Sequence, residues 1–169
     1  IVYVTANQSC DQGSTCENKL HVVNPLTCND VTNFPVSFSA IPRPTPSVAN
    51  LDSDSNMEII ISLEQSIPNG LGSIKAIDSV TGTTQWTYDD GGSLHPGFPS
   101  PNVADIDNDG YYNIILGENN NNTIYILREN GSLLYKYTVS GFMDNGLAIA
   151  DIDNDKMAEI VFKRAGSPT

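Results

Sequence analysis

The chain alternates short apolar runs with polar loops, and within many runs the alternation has a period of two. Runs at 73–78, 123–128 and 132–138 mix β-branched, aromatic and polar residues and are bounded by Gly, Asn and Thr. This pattern is typical of β-strands. No stretch shows sustained apolar spacing at i, i+3, i+4 and i+7, so we expect no long helix. The pattern predicts an all-β chain.

The strand pattern recurs about every fifty residues. Similar strands begin at 20, 74 and 124, and acidic loops begin at 50, 105 and 151. Thr81-Gly82 and Asn130-Gly131 separate neighbouring strands, and such pairs are strong hairpin signals. A repeat of this length matches one four-stranded blade of a β-propeller. We predict about three blades plus one strand, with approximate repeats at 1–45, 46–100 and 101–146 and a partial repeat at 147–169.

Three blades are too few for a closed ring, since propellers typically have about four to eight. We therefore expect either a segment of a larger propeller or a propeller completed by a partner. The chain opens on a strand-like run without an initiating Met, which suggests a processed or partial chain. Exposed edge strands can pair with another chain, so self-assembly is a further hypothesis.

Three polar segments repeat one acidic pattern just before an apolar triplet. They read NLDSDSNME at 50–58, DIDNDGYYN at 105–113 and DIDNDKMAE at 151–159. Calcium takes about six to eight oxygen ligands, and carboxylates at positions 1, 3 and 5 with a carbonyl at position 7 can surround it. The closing oxygen falls at position 9 and an apolar triplet follows at once. We therefore predict calcium loops that lead into strands and not into helices.

The charge balance agrees with metal loading. The chain has 8 basic and 20 acidic residues, a net charge of −12, and half of the acidic residues lie in the three loops. Three divalent ions would bring the net charge to −6. Clustered Lys and Arg, which binding to a phosphate backbone requires, are missing, so nucleic acid is not an expected partner. The chain contains no run of about 18 apolar residues, so no transmembrane helix is predicted.

Cysteine and asparagine patterns suggest an extracellular, oxidising compartment. Cys10 and Cys16 bracket a polar loop and could close it as a disulfide, although free thiols remain an alternative, and Cys28 is unexplained. Glycosylation acceptor patterns begin at Asn7, Asn121 and Asn130, but such short motifs arise easily in an Asn-rich chain. Secretion and glycosylation are therefore expectations.

The acidic loops with their flanking residues resemble the FG-GAP or VCBS repeat, the calcium-binding blade unit of integrin α-subunit propellers and of many secreted microbial proteins. The segment VADIDNDG at 103–110, with Pro101 upstream and ILG at 115–117, carries the resemblance. The Phe-Gly and Gly-Ala-Pro elements are reduced to Phe98, Pro101 and Ala104, which is similar to the divergent microbial branch.

That resemblance implies two to three calcium ions and a ligand set for each. In the central loop the implied ligands are Asp105, Asp107, Asp109, the Tyr111 carbonyl and Asn113. The last loop contributes Asp151, Asp153, Asp155, the Met157 carbonyl and Glu159, and the first contributes Asn50, Asp52, Asp54, the Asn56 carbonyl and Glu58. Asn50, Ser55 and Lys156 depart from the pattern in the two outer loops.

A second, local resemblance involves the segment AIDSVTGTTQW at 76–86. It is similar to the AxDxxTGxxxW strand-turn-strand of quinoprotein dehydrogenase blades. The resemblance implies that Trp86 packs between blades and that Thr81 and Gly82 form the turn. No quinone-binding constellation accompanies it.

Three functions follow as hypotheses, and the first is favoured. The first is a non-catalytic extracellular calcium-binding module for adhesion, surface display or contact with a protein or glycan. The second is a carbohydrate-active enzyme such as a polysaccharide lyase, for which His21 and His95 are the available bases and Tyr111, Tyr112, Tyr135 and Tyr137 the available stacking residues. The third is a subunit of an extracellular filament or surface layer.

Overall fold

The first two sheets lie in the N-terminal half of the chain. The structure, a computed structural model, describes residues 1–5, 17–64, 72–94, 99–118, 122–140 and 142–165. The first sheet has the antiparallel order β1 (Val2–Thr5), β2 (Lys19–Val22), β3 (Val36–Ser37). In the second sheet, β4 (Ile41–Pro42) and β5 (Ser47–Ala49) both pair with β6 (Glu58–Glu64), followed by β7 (Gly72–Asp78) and β8 (Thr84–Tyr88). The proline-rich segment 41–46 thus lies at a sheet edge, where the missing backbone donors are tolerated.

The third and fourth sheets repeat this arrangement. The third has the order β9 (Asn102–Ala104), β10 (Asn113–Glu118), β11 (Thr123–Leu127), β12 (Leu133–Thr138). The fourth consists of β13 (Phe142–Ala150) and β14 (Glu159–Ala165). Every pairing is antiparallel, and the described residues contain no helix. The prediction of an all-β chain built from partial propeller blades is confirmed. No helix in this part of the chain is long and apolar enough to cross a membrane.

Three apolar cores lie between successive sheets, and the inner strands of the second and third sheets contribute side chains to the cores on both of their faces. Ile59, Ile61 and Leu63 of β6 pack toward the first sheet, whereas Ile60 packs toward the third. In β10 the alternation repeats: Ile114 and Leu116 join the core shared with the second sheet, and Ile115 joins the core shared with the fourth. Continuous apolar runs such as 59–61 and 114–116 are therefore strands buried on both sides.

The hairpin turn of one sheet packs against the outer strand of the preceding sheet. Gly82, at φ +70°, lies in the β7–β8 turn, and a Cβ there would stand 2.9 Å from the Asn33 carbonyl and 3.1 Å from Val36 of β3. Gly131, at φ +81°, lies in the β11–β12 turn, and a Cβ there would stand 2.5 Å from the Trp86 ring. The Trp86 indole nitrogen donates to the Glu129 carbonyl at 2.9 Å. Both glycines thus permit a close inter-sheet contact as well as a left-handed turn.

Asp90 connects the second sheet to the third by hydrogen bonds. Its carboxylate accepts from the Tyr88 hydroxyl at 3.1 Å, the Tyr125 hydroxyl at 3.0 Å and the Lys136 ammonium at 2.6 Å. Burial alone would raise the pKa of Asp90, but the bonds from Lys136, Tyr125 and Tyr88 outweigh it and hold that pKa below its usual value. The folded state therefore favours the ionised carboxylate.

We expect Asp90→Asn to reduce the free energy of unfolding at pH 7 by about 1 to 2 kcal/mol, since charged hydrogen bonds are lost while Lys136 stays partly in solvent. The folded pKa lies below the unfolded value of about 3.9, so this contribution is complete above that value and disappears as the pH falls toward the folded pKa. Urea unfolding of the wild type and the variant between pH 7 and pH 3 measures the difference in their free energies of unfolding. This difference should become smaller below about pH 4. A difference that does not change with pH would contradict the role of the Asp90 charge. Glu17→Gln, which removes an exposed ion pair, serves as the control.

Candidate metal centres

Each acidic segment is the loop of a hairpin between two neighbouring strands of one sheet. The three loops join β5 to β6, β9 to β10, and β13 to β14. The register closes each loop in the same way, because an alanine before the loop pairs with the residue at position 9. The pairs are Ala49 with Glu58, Ala104 with Asn113 and Ala150 with Glu159. The predicted loop-to-strand transition is therefore present in all three.

One side-chain-to-backbone contact recurs across the base of all three loops. The position-9 side chain accepts a hydrogen bond from the backbone nitrogen at position 2. The distances are 2.6 Å from Leu51 to Glu58, 3.1 Å from Ile106 to Asn113 and 2.8 Å from Ile152 to Glu159. This bond holds the position-9 oxygen over the loop opening, and it works equally with a carboxylate or an amide.

A second shared contact shapes the far side of each loop. The position-5 carboxylate accepts from the backbone nitrogen at position 7, at 2.6 Å for Asp54, 2.8 Å for Asp109 and 2.8 Å for Asp155. Such Asx turns orient the carboxylate back into its own loop. The position-5 aspartates of the three loops therefore make the same backbone contact, although the surrounding residues differ.

The central and last loops also share left-handed residues at positions 4 and 6. These are Asn108 at +56° and Gly110 at +92° in the central loop, and Asn154 at +64° and Lys156 at +76° in the last. The left-handed region costs an L-residue about 1 to 2 kcal/mol, whereas Gly enters it freely. Lys156 is therefore strained where Gly110 is not.

We expect Lys156→Gly to stabilise the chain by about 0.5 to 1 kcal/mol, because relief of strain outweighs the greater freedom that Gly has in the unfolded state. Thermal or urea unfolding measures the change. Lys156→Ala is the matched control: it removes the same long side chain but retains the Cβ, so its stability should stay within about 0.5 kcal/mol of wild type. Equal effects of the two variants would mean that the side chain matters and not the backbone angle.

The structure brings three acidic side chains together in each loop. The ligand-type oxygens of Asp52, Asp54 and Glu58 all lie within 4.8 Å of one another, as do those of Asp105, Asp107 and Asp109 and those of Asp151, Asp153 and Glu159. Like charges at such short range repel each other. A divalent cation in the centre would remove that repulsion.

The first loop contains a buried side-chain oxygen without a hydrogen-bond partner. The Asn50 side-chain oxygen is buried without a hydrogen-bond partner, while its amide nitrogen donates to the Asp54 carbonyl at 2.8 Å. A buried polar atom of this kind is costly unless something binds it. The residues at position 1 and at positions 3, 5 and 9 therefore fit a cation in the loop that departs most from the acidic pattern.

Glu58 is fully buried, and its carboxylate is contacted by a side chain from another strand of the sheet. Burial raises the pKa of this carboxyl most, the Leu51 backbone bond opposes that rise, and nearby Asp52, Asp54 and Asp78 add to it. Gln85 of β8 reaches Asp52 at 3.3 Å and Glu58 at 3.4 Å. The acidic motif does not identify Gln85 as a neighbour of the loop. Gln85 lies 27 residues from Glu58 and 33 residues from Asp52 in sequence, and it reaches them only because the strands pair in the sheet.

Asp78 is a further supporting residue that the acidic pattern does not include. Its carboxylate accepts from the Thr81 backbone at 2.6 Å, the Thr81 hydroxyl at 2.8 Å and the Val80 backbone at 3.0 Å, and these bonds lower its pKa. It also accepts from the Asn56 side chain at 3.1 Å. One aspartate therefore closes the Thr-Gly turn and contacts the first acidic loop.

Other predicted residues lie elsewhere. His21 is in β2, where its ring stacks on Tyr3 with centroids 4.7 Å apart and contacts Asp30 at 3.0 Å. The tyrosines proposed for stacking are exposed, on the central acidic loop and on β12. Cys28 is an exposed free thiol. Cys10, Cys16, Asn7, His95, Phe98 and Asn121 lie outside the described residues, so the disulfide and glycosylation stay predictions.

Fold and loops together define an all-β chain of propeller-type sheets, three of which begin with an acidic hairpin. Residues 105–162, from the central loop through the last, match the family model of the FG-GAP-like repeat. No curated protein matches the sequence.

The fold is similar to part of a solved biofilm matrix protein. The V. cholerae biofilm matrix protein Bap1 is 26% identical, with a TM-score of 0.59 over 78% of this chain and 24% of that protein. The chain thus spans about a quarter of the length of Bap1. A protein of unknown function from Bacteroides caccae is 13% identical, with a TM-score of 0.35 over 95% of this chain and 72% of that one.

Proposed function

We propose that this chain is a calcium-stabilised, propeller-type module of an extracellular adhesion or matrix protein, with a structural and binding role. The observation that carries the proposal is that all three loops have the same closing register and the same contact between position 2 and position 9. Each loop also brings three carboxylates together, although at different positions of the loop. Ordinary acidic turns have no reason to repeat all three features.

Calcium fits the donor set better than magnesium does. The loops offer carboxylate, amide and backbone oxygens on a flexible ring, whereas Mg²⁺ requires near-ideal octahedral geometry and retains several waters. The proposed ligands in the central loop are Asp105, Asp107, Asp109, the Tyr111 carbonyl and Asn113, with the equivalent positions in the outer loops. A bound ion would supply positive charge and close the loop, and it would thereby stiffen the two strands that the loop joins.

The extracellular role rests on similarity and on charge. The FG-GAP-like match and the likeness to a biofilm matrix protein support a module that operates outside the cell, where calcium is abundant. Bap1 is a matrix protein, and we extend a matrix or adhesion role to this chain only as a proposal. A protein or glycan partner is compatible with the exposed tyrosines, such as Tyr111.

Native mass spectrometry with calcium, followed by a retention assay on biofilm matrix material, tests the two parts separately. We expect two to three bound ions, one fewer after Asp107→Asn, and no loss after Glu17→Gln, which lies outside the loops. Retention on matrix should occur at about 2 mM calcium, in the range of weak extracellular sites, and should be lost with chelator.

The outcomes are distinguishable. A chain that binds no calcium overturns the metal sites. A chain that binds calcium but is not retained on matrix, or is retained equally with chelator, keeps the metal sites and overturns the calcium-dependent adhesive role.

A further inference from the structure

An open cleft of about 670 Å³ lies between the second and third sheets, where the first and central acidic loops come together. Four segments line it: the first acidic loop, the start of β8, the central acidic loop and the β11–β12 turn. Its lining includes Asp52, Ser53, Gln85, Trp86, Tyr111 and Glu129. The volume falls in the range of about 300 to 1,000 Å³ that is typical of sites for small ligands. We call this feature the inter-loop cleft.

Two aromatic rings give the inter-loop cleft an apolar surface. The Trp86 indole nitrogen donates to the Glu129 carbonyl at 2.9 Å, and Gly131 packs against the ring, so the position of the indole is fixed. Trp86 is only partly buried, which leaves part of the ring open to the cleft. Tyr111 is 57% exposed. Rings of this kind offer a large and rigid contact area at a low cost in conformational entropy.

Two side-chain amides in the cleft are oriented by the protein itself. The Gln85 amide nitrogen donates to Asp52 at 3.3 Å and to Glu58 at 3.4 Å, which leaves the Gln85 side-chain oxygen as an acceptor. The Asn130 side-chain oxygen accepts from the Ser132 backbone at 2.9 Å, which leaves the Asn130 amide nitrogen as a donor. The cleft thus offers one fixed acceptor and one fixed donor.

Further polar groups in the cleft are available to a ligand. Among the described residues, the side chains of Ser53, Tyr111 and Glu129 make no hydrogen bond. Together with the two amides they form a mixed set of donors and acceptors. Such a set suits a hydroxyl-rich ligand, because each hydroxyl both donates and accepts.

The charge of the cleft disfavours an acidic ligand. Asp52 and Glu129 contribute carboxylates, and no Lys or Arg in the described part of the chain lines the cleft. Phosphate, sulfate and uronate groups would therefore be repelled. A cationic ligand gains little, because Asp52 already accepts from Gln85 and a single surface carboxylate contributes only about 0 to 1 kcal/mol. An uncharged, hydroxyl-rich ligand with an apolar face fits best.

We propose that the inter-loop cleft binds an uncharged hexose unit of a glycan. The apolar C–H face of the sugar ring packs on Trp86 and Tyr111, and its hydroxyls bond to Gln85, Glu129 and Asn130. This site specifies the glycan contact of the proposed function, and it rests on that proposal for its biological role. Because the cleft adjoins two acidic loops, calcium in those loops would hold its two sides in place.

Tryptophan fluorescence provides a direct test, because Trp86 is the only tryptophan of the sequence and lies in the cleft. The chain is titrated at about 2 mM calcium with linear hexasaccharides of glucose, mannose and galactose, and with hexagalacturonate and hexalysine as charged probes. We expect a saturable change with at least one neutral hexasaccharide, at a dissociation constant of about 1 mM or below. The two charged probes should give none.

A pair of neighbouring tyrosines supplies matched variants. Tyr111→Ala removes a ring from the cleft but retains the backbone carbonyl that is the proposed calcium ligand, and it should weaken sugar binding by about tenfold. Tyr112→Ala removes an exposed ring that does not line the cleft, and the dissociation constant should stay within about twofold of wild type. Native mass spectrometry should show the same number of calcium ions in both variants, so that a weaker affinity is not a loss of metal.

Three results would overturn the proposal. One is the absence of a saturable change with every neutral hexasaccharide up to about 10 mM. Another is a change with hexagalacturonate or hexalysine and with no neutral sugar, which would place a charged group in the cleft. The third is an equal loss of affinity in Tyr111→Ala and Tyr112→Ala.

The cleft and the wider role can fail separately. Retention of the wild type on biofilm matrix without binding of any neutral hexasaccharide would keep the adhesive role and overturn the sugar site. Binding of a neutral hexasaccharide without retention on matrix would support the sugar site and overturn the matrix role.

Discussion

Removal of calcium with excess chelator is expected to lower the melting temperature by about 10 °C or more. A site with a dissociation constant of about 0.1 mM, at about 2 mM calcium, adds close to 2 kcal/mol through preferential binding to the folded loop. Two or three such sites add about 4 to 5 kcal/mol. Each kcal/mol moves the melting temperature of a chain of this size by about 2 to 4 °C.

Matched variants show whether the loops cause this shift. Replacement of Asp105, Asp107 and Asp109 by Asn removes one proposed site, so the shift on chelation should shrink by about a third. Magnesium at the same concentration should restore little of the lost stability, since Mg²⁺ requires near-ideal octahedral geometry and gives up its waters reluctantly. A wild-type melt that is unchanged by chelator would eliminate the metal assignment.

Gly131→Ala is expected to destabilise the chain by about 3 kcal/mol, more than any other single methyl addition considered. A Cβ at this position meets the Trp86 ring at 2.5 Å, and the ring is held by the bond to the Glu129 carbonyl. Overpacking costs about 1 to 3 kcal/mol, and the left-handed backbone adds about 1 to 2 kcal/mol. Urea unfolding measures the loss.

Gly91→Ala isolates the backbone contribution. Gly91 has φ +65°, but a Cβ there meets nothing within 4 Å, so only the left-handed strain of about 1 to 2 kcal/mol should appear. Trp86→Ala alone should cost about 3 kcal/mol, because it removes a half-buried aromatic ring that packs against the core, together with its hydrogen bond. Adding Gly131→Ala to Trp86→Ala should cost no more than Gly91→Ala does. If the two changes instead add fully, the ring and the glycine do not interact.

Sequence alone determined the class of fold because local patterns carry it. Period-two alternation, double-faced apolar triplets such as 59–61, and Thr-Gly or Asn-Gly turns each specify strands and hairpins over a few residues. The acidic spacing likewise identified which oxygens share a loop, because residues at positions 1 to 9 of one tight loop cannot lie far apart. Calcium occupancy stays a prediction that chelation tests.

Only the tertiary structure decided how the sheets meet. Asp90 contacts Tyr125 and Lys136, which are 35 and 46 residues away in sequence, and Gln85 reaches Glu58 across 27 residues. No local pattern encodes such partners, because they depend on which faces of neighbouring sheets are stacked. For the same reason, the sequence does not show that Trp86 and Tyr135 have different environments. A turn covers Trp86, whereas the described residues leave Tyr135 exposed. Both occupy the same position in their repeats, and their environments differ only because a hairpin lies over one of them.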